Sequence, residues 1–206
     1  MARRTAPLLL ALIVSLLCGA PASAAVAVEP PAPDGHAQGA RPAGPLLHGE
    51  AGASAKRDLL WATVNVCDTF ESPDAMGIRA SMPGNGTRQR MYMRFSAQWW
   101  SGSRQQWLDV HNARSPWVYV GSARYRARQA GYSFDFATPS VGYAYLLRGA
   151  VQYQWRSRRR ATRVRRSGYR IARERTRLTT TGVRRVPGSD PKGTSRAMCA
   201  VANLPL

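Results

Sequence analysis

The sequence predicts an all-β protein: an antiparallel β-sandwich preceded by a disordered linker. Three observations carry this. The stretch Ser140–Trp155, SVGYAYLLRGAVQYQW, alternates strictly. Tyr143, Tyr145, Leu147, Val151, Tyr153 and Trp155 share one parity, and Ala144, Arg148, Gln152 and Gln154 share the other, with Leu146 the one apolar exception. Arg90–Trp100, RMYMRFSAQWW, repeats the pattern with Met91, Met93, Phe95, Ala97 and Trp99 in phase. A period of two over such lengths belongs to strands with one buried and one wet face. Finally, Gly/Pro turns recur along the chain, and no segment carries the i, i+3, i+4 apolar spacing of an amphipathic helix.

Residues 1–24 read as an export signal. Arg3 and Arg4 form a short positive start, Leu8–Leu17 is an apolar run too short to span a bilayer, and Ala22-Ser23-Ala24 is a small-residue cleavage site. The mature chain then begins at Ala25, and no later apolar run is long enough for an anchor. Residues 25–57 are rich in Ala, Pro and Gly, lack periodicity, and read as a disordered tether. His36 and His48 fall here as solvated linker residues. The folded domain occupies 58–206.

Within it, Leu60–Cys67 reads as a first strand and Met76–Met82 as a second, closed by the turn cluster Pro83-Gly84-Asn85-Gly86. Arg90–Trp100 follows, then a loop at 101–105 and a short strand at Trp107–Val110. Trp117–Val120 is another strand. In Ser122–Arg128, Arg124, Arg126 and Arg128 alternate with Ala123, Tyr125 and Ala127, so the three arginines should share a strand face. Tyr132, Phe134 and Phe136 alternate in the next strand. Gly149 falls in the apolar register of Ser140–Trp155, which predicts a bulge or a close approach of another chain segment. A return strand runs over Ile171–Thr181, with Arg173, Arg175 and Arg177 on one face, and Ser195–Val201 is the last strand. Most of the six tryptophans are expected in the core.

Cleavage of the signal leaves two cysteines, Cys67 and Cys199, near the two ends of the domain. In an oxidising compartment an even count favours a disulfide between them.

The formal net charge is +19, carried almost wholly by arginine; the only lysines are Lys56 and Lys192. Between Arg156 and Arg185 there are thirteen arginines and one acid, Glu174. A chain this basic is drawn to anionic polymers and surfaces. If the triplets Arg124/Arg126/Arg128 and Arg173/Arg175/Arg177 lie in one sheet, their outward faces form a single cationic plane, extended by the Arg158–Arg166 loop.

Pro139, Tyr143, Tyr145, Leu147, Arg148 and Gly149 together resemble the E–F corner and F strand of fibronectin type III and related immunoglobulin-like domains. The resemblance covers about a dozen residues. It implies an immunoglobulin-like sandwich in which Tyr143 turns inward at the corner and hydrogen-bonds the backbone. It implies no functional residue, because that fold hosts many functions.

No nucleophile–base–orienter set, metal-ligand spacing or phosphate-binding glycine loop is visible, so the domain reads as non-enzymatic and without cofactor. Asp68, Glu71 and Asp74 cluster without the spacing of a calcium loop. Two alternatives are defined well enough to test. Tyr92 and Trp100, on the polar parity of one strand, would stack sugars in a carbohydrate-binding module. His111 with Asp109 would serve an envelope hydrolase. The leading expectation is an exported structural or binding module, at the cell envelope or outside it, with a basic surface for acidic envelope polymers or glycans and no sequence-specific nucleic-acid recognition.

Overall fold

A computed structural model describes residues 32–33, 35–37, 41–42, 59–161 and 168–204. The expected signal segment, its cleavage site, most of the linker, and Arg163, Arg165 and Arg166 lie outside the described residues. The strands are β1 (Gly35–Ala37), β2 (Arg41–Pro42), β3 (Trp61–Thr69), β4 (Ser72–Pro83), β5 (Arg90–Ser101), β6 (Gln106–Arg114), β7 (Val118–Ser122), β8 (Ala127–Phe136), β9 (Tyr143–Arg159), β10 (Gly168–Leu178) and β11 (Met198–Asn203). The architecture is an all-β sandwich with every strand pair antiparallel. The first sheet runs β3-β4-β8, with β1 and β2 along the far side of β8. In the second, β9 lies between β5 and the pair β10 and β11, and β5 carries β6 and β7 on its other side.

The inner faces are those the alternation marks. Met91, Met93, Phe95 and Ala97 of β5 and Leu147, Val151, Tyr153 and Trp155 of β9 are buried against Met76, Ile78, Ala80 and Met82 of β4 and Phe134 of β8. Phe95 stacks on Tyr132 across the sandwich at 6.0 Å. Two of the buried polar-tipped rings of β9 satisfy their donors on the opposite sheet. Tyr153 donates to Trp61 O at 2.8 Å and Trp155 Nε1 to Pro83 O at 3.1 Å, as buried Tyr and Trp require.

Gly149 is a close approach, one of the two outcomes its register allowed. A Cβ there would lie 2.6 Å from Ile78 Cδ1 and 2.7 Å from Thr179 Cγ2. Ile78 is fully buried, and Thr179 is pinned by its amide on Gly149 O and its hydroxyl on Ala197 O, so neither yields readily. Gly149→Ala is therefore expected to cost about 1–3 kcal/mol by overpacking, read as a lowered urea midpoint. An unchanged midpoint would show that the two sheets are free to move apart here.

One side of the sandwich is closed by cross-sheet links. Cys67 of β3 and Cys199 of β11 are disulfide-bonded with Cα atoms 5.4 Å apart. Val64 and Arg196 exchange backbone hydrogen bonds at 2.9 and 3.0 Å, and Thr180 N donates to Ala62 O at 2.8 Å. The last strand starts later than its sequence suggests, at Met198, because Arg196 is engaged in that bridge to Val64.

Four expectations are corrected. The tether is not structureless throughout: β1 and β2 pair with β8. Without them β8 would present an open row of amides and carbonyls, and pairing of that kind is decided by the neighbouring strand rather than by local propensity. Residues 123–126 form a turn, not a strand. The loop after β4 captures their carbonyls, with Gly84 N donating to Arg126 O and both Asn85 N and Gly86 N to Ala123 O, each at 2.9 Å. Tyr143 does not turn into the core; it is 37% exposed. Its corner is held by backbone groups and an amide instead: Gly142 N on Asn203 O, Tyr143 N on Ser140 O, and Asn203 Nδ2 on Pro139 O. Lastly, only Trp99 and Trp155 of the six tryptophans are core residues, since Trp100 and Trp107 belong to the outer parity of the second sheet.

Candidate binding face

The even-numbered residues of β5 are exposed or half-buried on the side of the second sheet that faces away from the core. Even-numbered residues of β5 and β9 point there, and the register brings them into rows. Arg90 lies opposite Arg156, Tyr92 opposite Gln154, Arg94 opposite Gln152, Ser96 opposite Ala150, and Gln98 opposite Arg148. On the far side of β5, Tyr119 of β7 lies opposite Tyr92, while Asp109 and Trp107 of β6 lie opposite Gln98 and Trp100.

Arginines and aromatic rings interleave across these rows. The Arg156 guanidinium carbon sits 4.1 Å from the Tyr92 ring centre and 5.0 Å from that of Trp117. Arg94 lies over the same Trp117 ring at 4.6 Å. Arg90 lies 4.6 Å over Tyr169 and 5.5 Å over Tyr119, and Arg148 lies 4.3 Å over Trp107. Glutamine oxygens fix the guanidinium planes. Arg94 Nε and Nη2 both donate to Gln152 Oε1 at 2.8 and 2.6 Å, Arg156 Nε donates to Gln154 Oε1 at 2.9 Å, and Arg148 Nε to Gln98 Oε1 at 2.9 Å. The lattice is dense enough to leave Gln154 only 5% exposed on an outward face.

Guanidinium has five N–H donors in a fixed fork. The amide bonds just described use two of them at Arg94 and one each at Arg148 and Arg156. Ring stacking of this type contributes about 0.5–1 kcal/mol per contact at exposed positions. Its larger consequence is orientation, since a stacked arginine surrenders less side-chain freedom when it meets an anion. Burial lowers the Arg148 guanidinium from its ordinary value, while a hydrogen bond with Tyr92 raises that of Arg90. Arg114 and Asp109 form an ion pair at 3.3 Å.

The arginine triplets named from sequence do not make one plane. Arg124 and Arg126 stand exposed in the 123–126 turn. Arg128 is the second residue of β8 in the first sheet, folded over the Tyr125 ring at 3.9 Å. Arg173, Arg175 and Arg177 are on β10 in the second sheet, opposite Trp155, Tyr153 and Val151. They thus take the core-side parity, not the outward one, and are exposed because β10 is the outermost strand of its sheet. Alternation gives a common face but not its side, which depends on the neighbour.

Tyr92 and Trp100 do share the outer face of β5. Eight residues of strand separate them by about 26 Å, and each has its own neighbours, Tyr119 at 5.4 Å and Trp107 at 5.5 Å. They are two clusters, not one platform. Asp109 and His111 are both exposed on β6. The Asp109 carboxylate accepts from Gln98 Nε2 at 2.9 Å and pairs with Arg114. Asp68 and Asp74 serve the turn after β3: Asp68 accepts from the amides of Asp74 and Ala202, and Asp74 from the Thr138 hydroxyl. Among the described residues no group of three or more His, Cys, Asp or Glu side chains could hold a metal ion, and no helix is long and apolar enough to cross a membrane.

Arg90, Arg94, Arg148 and Arg156, with Trp107, Trp117 and Tyr119, were not singled out from the sequence as a site. The outer parities of β5 and β9 did show it in part, as Tyr-Arg-Gln-Trp and Arg-Gln-Gln-Arg series. Comparison with protein-family models, with curated proteins and with solved structures gives no match in any of the three.

Proposed function

We propose that this is an exported, non-enzymatic binding module that holds an anionic polymer, phosphate- or carboxylate-bearing, across the outer face of its second sheet, at the cell envelope or beyond it. The observation that carries the reading is the set of four arginines stacked on aromatic rings, three of them oriented by glutamine amides, against two nearby carboxylates, Asp109, which Arg114 already pairs, and Glu174, opposite Gln154. The net charge of +19 adds long-range attraction. The disulfide is consistent with an oxidising compartment outside the cytoplasm. A neutral glycan is the weaker candidate, because Arg156 covers one face of Tyr92 and Trp100 tilts against Trp107. An acidic glycan keeps the stacking and adds the charge.

The test compares a phosphate-rich polymer, an acidic glycan and a neutral glycan at two salt concentrations. It is then repeated with Arg90, Arg94, Arg148 and Arg156 changed to Gln. Both polyanions should bind at low salt and weaken steeply as salt rises, and the quadruple variant should flatten that dependence by about 0.7 log unit per charge removed. Polymer affinity that ignores the four substitutions, or a neutral glycan that binds as tightly as the acidic one, would overturn the reading.

A further inference from the structure

β10 has a property the outer face does not explain. It is an eleven-residue strand at the edge of the second sheet, bonded to β9 on one side and to no strand on the other among the described residues. Every residue from Tyr169 to Leu178 is exposed. Long exposed edges are open templates for another strand and are ordinarily shortened, covered or charged. β10 is charged, in a patterned way. Arg173, Arg175 and Arg177 take one side, about 6.6 Å apart along the strand. Tyr169, Ile171, Thr176 and Leu178 take the other, with the parity switched by a bulge between Ile171 and Arg173. The only acid of the strand, Glu174, is on the second side.

We propose that the free edge of β10 takes an extended acidic segment of a partner protein as an added antiparallel strand, with acids at every second residue and apolar or β-branched residues between them. An added strand lies about 4.8 Å away, with its side chains alternating in step with those of β10. One parity of the segment then brings carboxylates beside Arg173, Arg175 and Arg177, and guanidinium pairs with carboxylate in two-point geometry. The other parity lays apolar side chains along Tyr169, Ile171 and Leu178, which are 43, 52 and 41% exposed. A second copy of this chain does not fit. Antiparallel pairing of β10 with itself about Arg175 sets Arg175 against Arg175 and Arg173 against Arg177, and like charges directly opposite destabilise a pair. The arginines thus reject self-association and admit an acidic strand. This site borders the outer-face lattice at Tyr169, over which Arg90 lies at 4.6 Å, and at Ile171, opposite Arg156, but its arginines are on the other side of β10 and the proposal does not depend on the polymer reading.

The experiment uses the full domain and four synthetic eight-residue peptides: Glu alternating with Val, the same composition in two blocks, and the alternating sequence N-methylated at every second amide in each of the two possible phases. Affinity is measured by fluorescence anisotropy and the bound region by hydrogen exchange. The alternating peptide should bind at least tenfold tighter than the block peptide and slow exchange within 168–178. One N-methyl phase should lose at least tenfold. Arg173, Arg175 and Arg177 changed together to Gln should lose at least tenfold, while an outer-face variant with Arg94 and Arg148 changed to Gln, whose side chains engage Trp117, Gln152, Trp107 and Gln98 rather than β10, should bind the peptide as the parent does. Unfolding midpoints establish that both variants are folded. Equal binding of block and alternating peptides, or of both N-methyl phases and the parent peptide, would reduce the edge to bare charge attraction and sink the proposal. Loss of peptide binding in the outer-face variant instead of the β10 variant would do the same, while leaving the polymer reading intact.

Discussion

Changing Cys67 and Cys199 together to alanine is expected to lower stability by about 3–5 kcal/mol. The bridge closes a loop of 132 residues, nearly the whole folded part. On chain-entropy grounds a loop of that size restricts the unfolded ensemble by close to 5 kcal/mol, before any strain is subtracted. Its place in the fold adds a second reason. The bridge ties β3, an edge of the first sheet, to β11, at the margin of the second. The other ties there are hydrogen bonds: the Val64–Arg196 pair, Thr180 on Ala62, the Thr63–Ser195 hydroxyl contact at 2.8 Å, Asp190 N on Asn65 O at 2.9 Å, Asn65 Nδ2 on Gly188 O at 2.6 Å and Ala202 N on Asp68 Oδ2 at 3.1 Å. Each is one or two hydrogen bonds, with a net contribution of about 1 kcal/mol apiece. Denaturant titration of the parent and of the double alanine variant measures the difference, and either single variant should lose as much as the double. A loss below 1 kcal/mol would mean that the sheets are held at this side without the bridge.

What the sequence makes legible is whatever depends on parity within one strand. Met91, Met93, Phe95, Trp99, Tyr145, Leu147, Val151 and Tyr153 are buried as their alternation predicts, because a strand packed on one side can hide only every second residue. Where parity has no apolar partner, it names a face but not a side. Arg173, Arg175 and Arg177 alternate as regularly as the core of β9, yet they sit on the core-side parity of a strand that overhangs. Arg124 and Arg126 alternate too, and they stand in a turn whose carbonyls are held by Gly84, Asn85 and Gly86, some forty residues earlier. Neither outcome is a local property. The candidate face shows the same limit. Tyr92, Arg94, Gln98 and Trp100 can be read as one outward row, and Arg148, Gln152, Gln154 and Arg156 as another. That Arg156 covers Tyr92 and Arg148 covers Trp107 follows only from β9 lying beside β5, with β6 and β7 beyond it. Strand order is set by long-range pairing, and no motif in this chain announces it.

Trp155→Ala is the core substitution expected to cost most, about 3–5 kcal/mol. Trp155 is the largest side chain fully buried in the sandwich, 1% exposed. It lies between Met91 on β5 and Arg173 on β10, its Nε1 holds Pro83 O of the opposite sheet at 3.1 Å, and Arg173 packs over its ring at 5.1 Å. Alanine therefore opens a cavity, frees a carbonyl and removes the surface on which β10 rests. Phenylalanine separates these effects. It keeps most of the packing and loses the donor, so Trp155→Phe should cost about 1–3 kcal/mol, chiefly for the unsatisfied Pro83 carbonyl. Hydrogen exchange provides a regional signature: the alanine variant should lose protection in β10 before β4, because β10 has β9 as its one strand partner, whereas β4 has β3 and β8. Equal losses for Phe and Ala would assign the whole effect to the hydrogen bond, and a loss under 1 kcal/mol for Ala would place Trp155 outside the core. The Arg90/Arg94/Arg148/Arg156 variant should stay folded but unfold below the parent, by about 0.5–1 kcal/mol for each stacking contact removed, and should leave protection in β4 unchanged, since its side chains lie on the solvent side of the same sheet. The loss of the core ring and the loss of the outer lattice would then be separable by region across a single layer of strands, with Trp155 beneath it and Arg156 above.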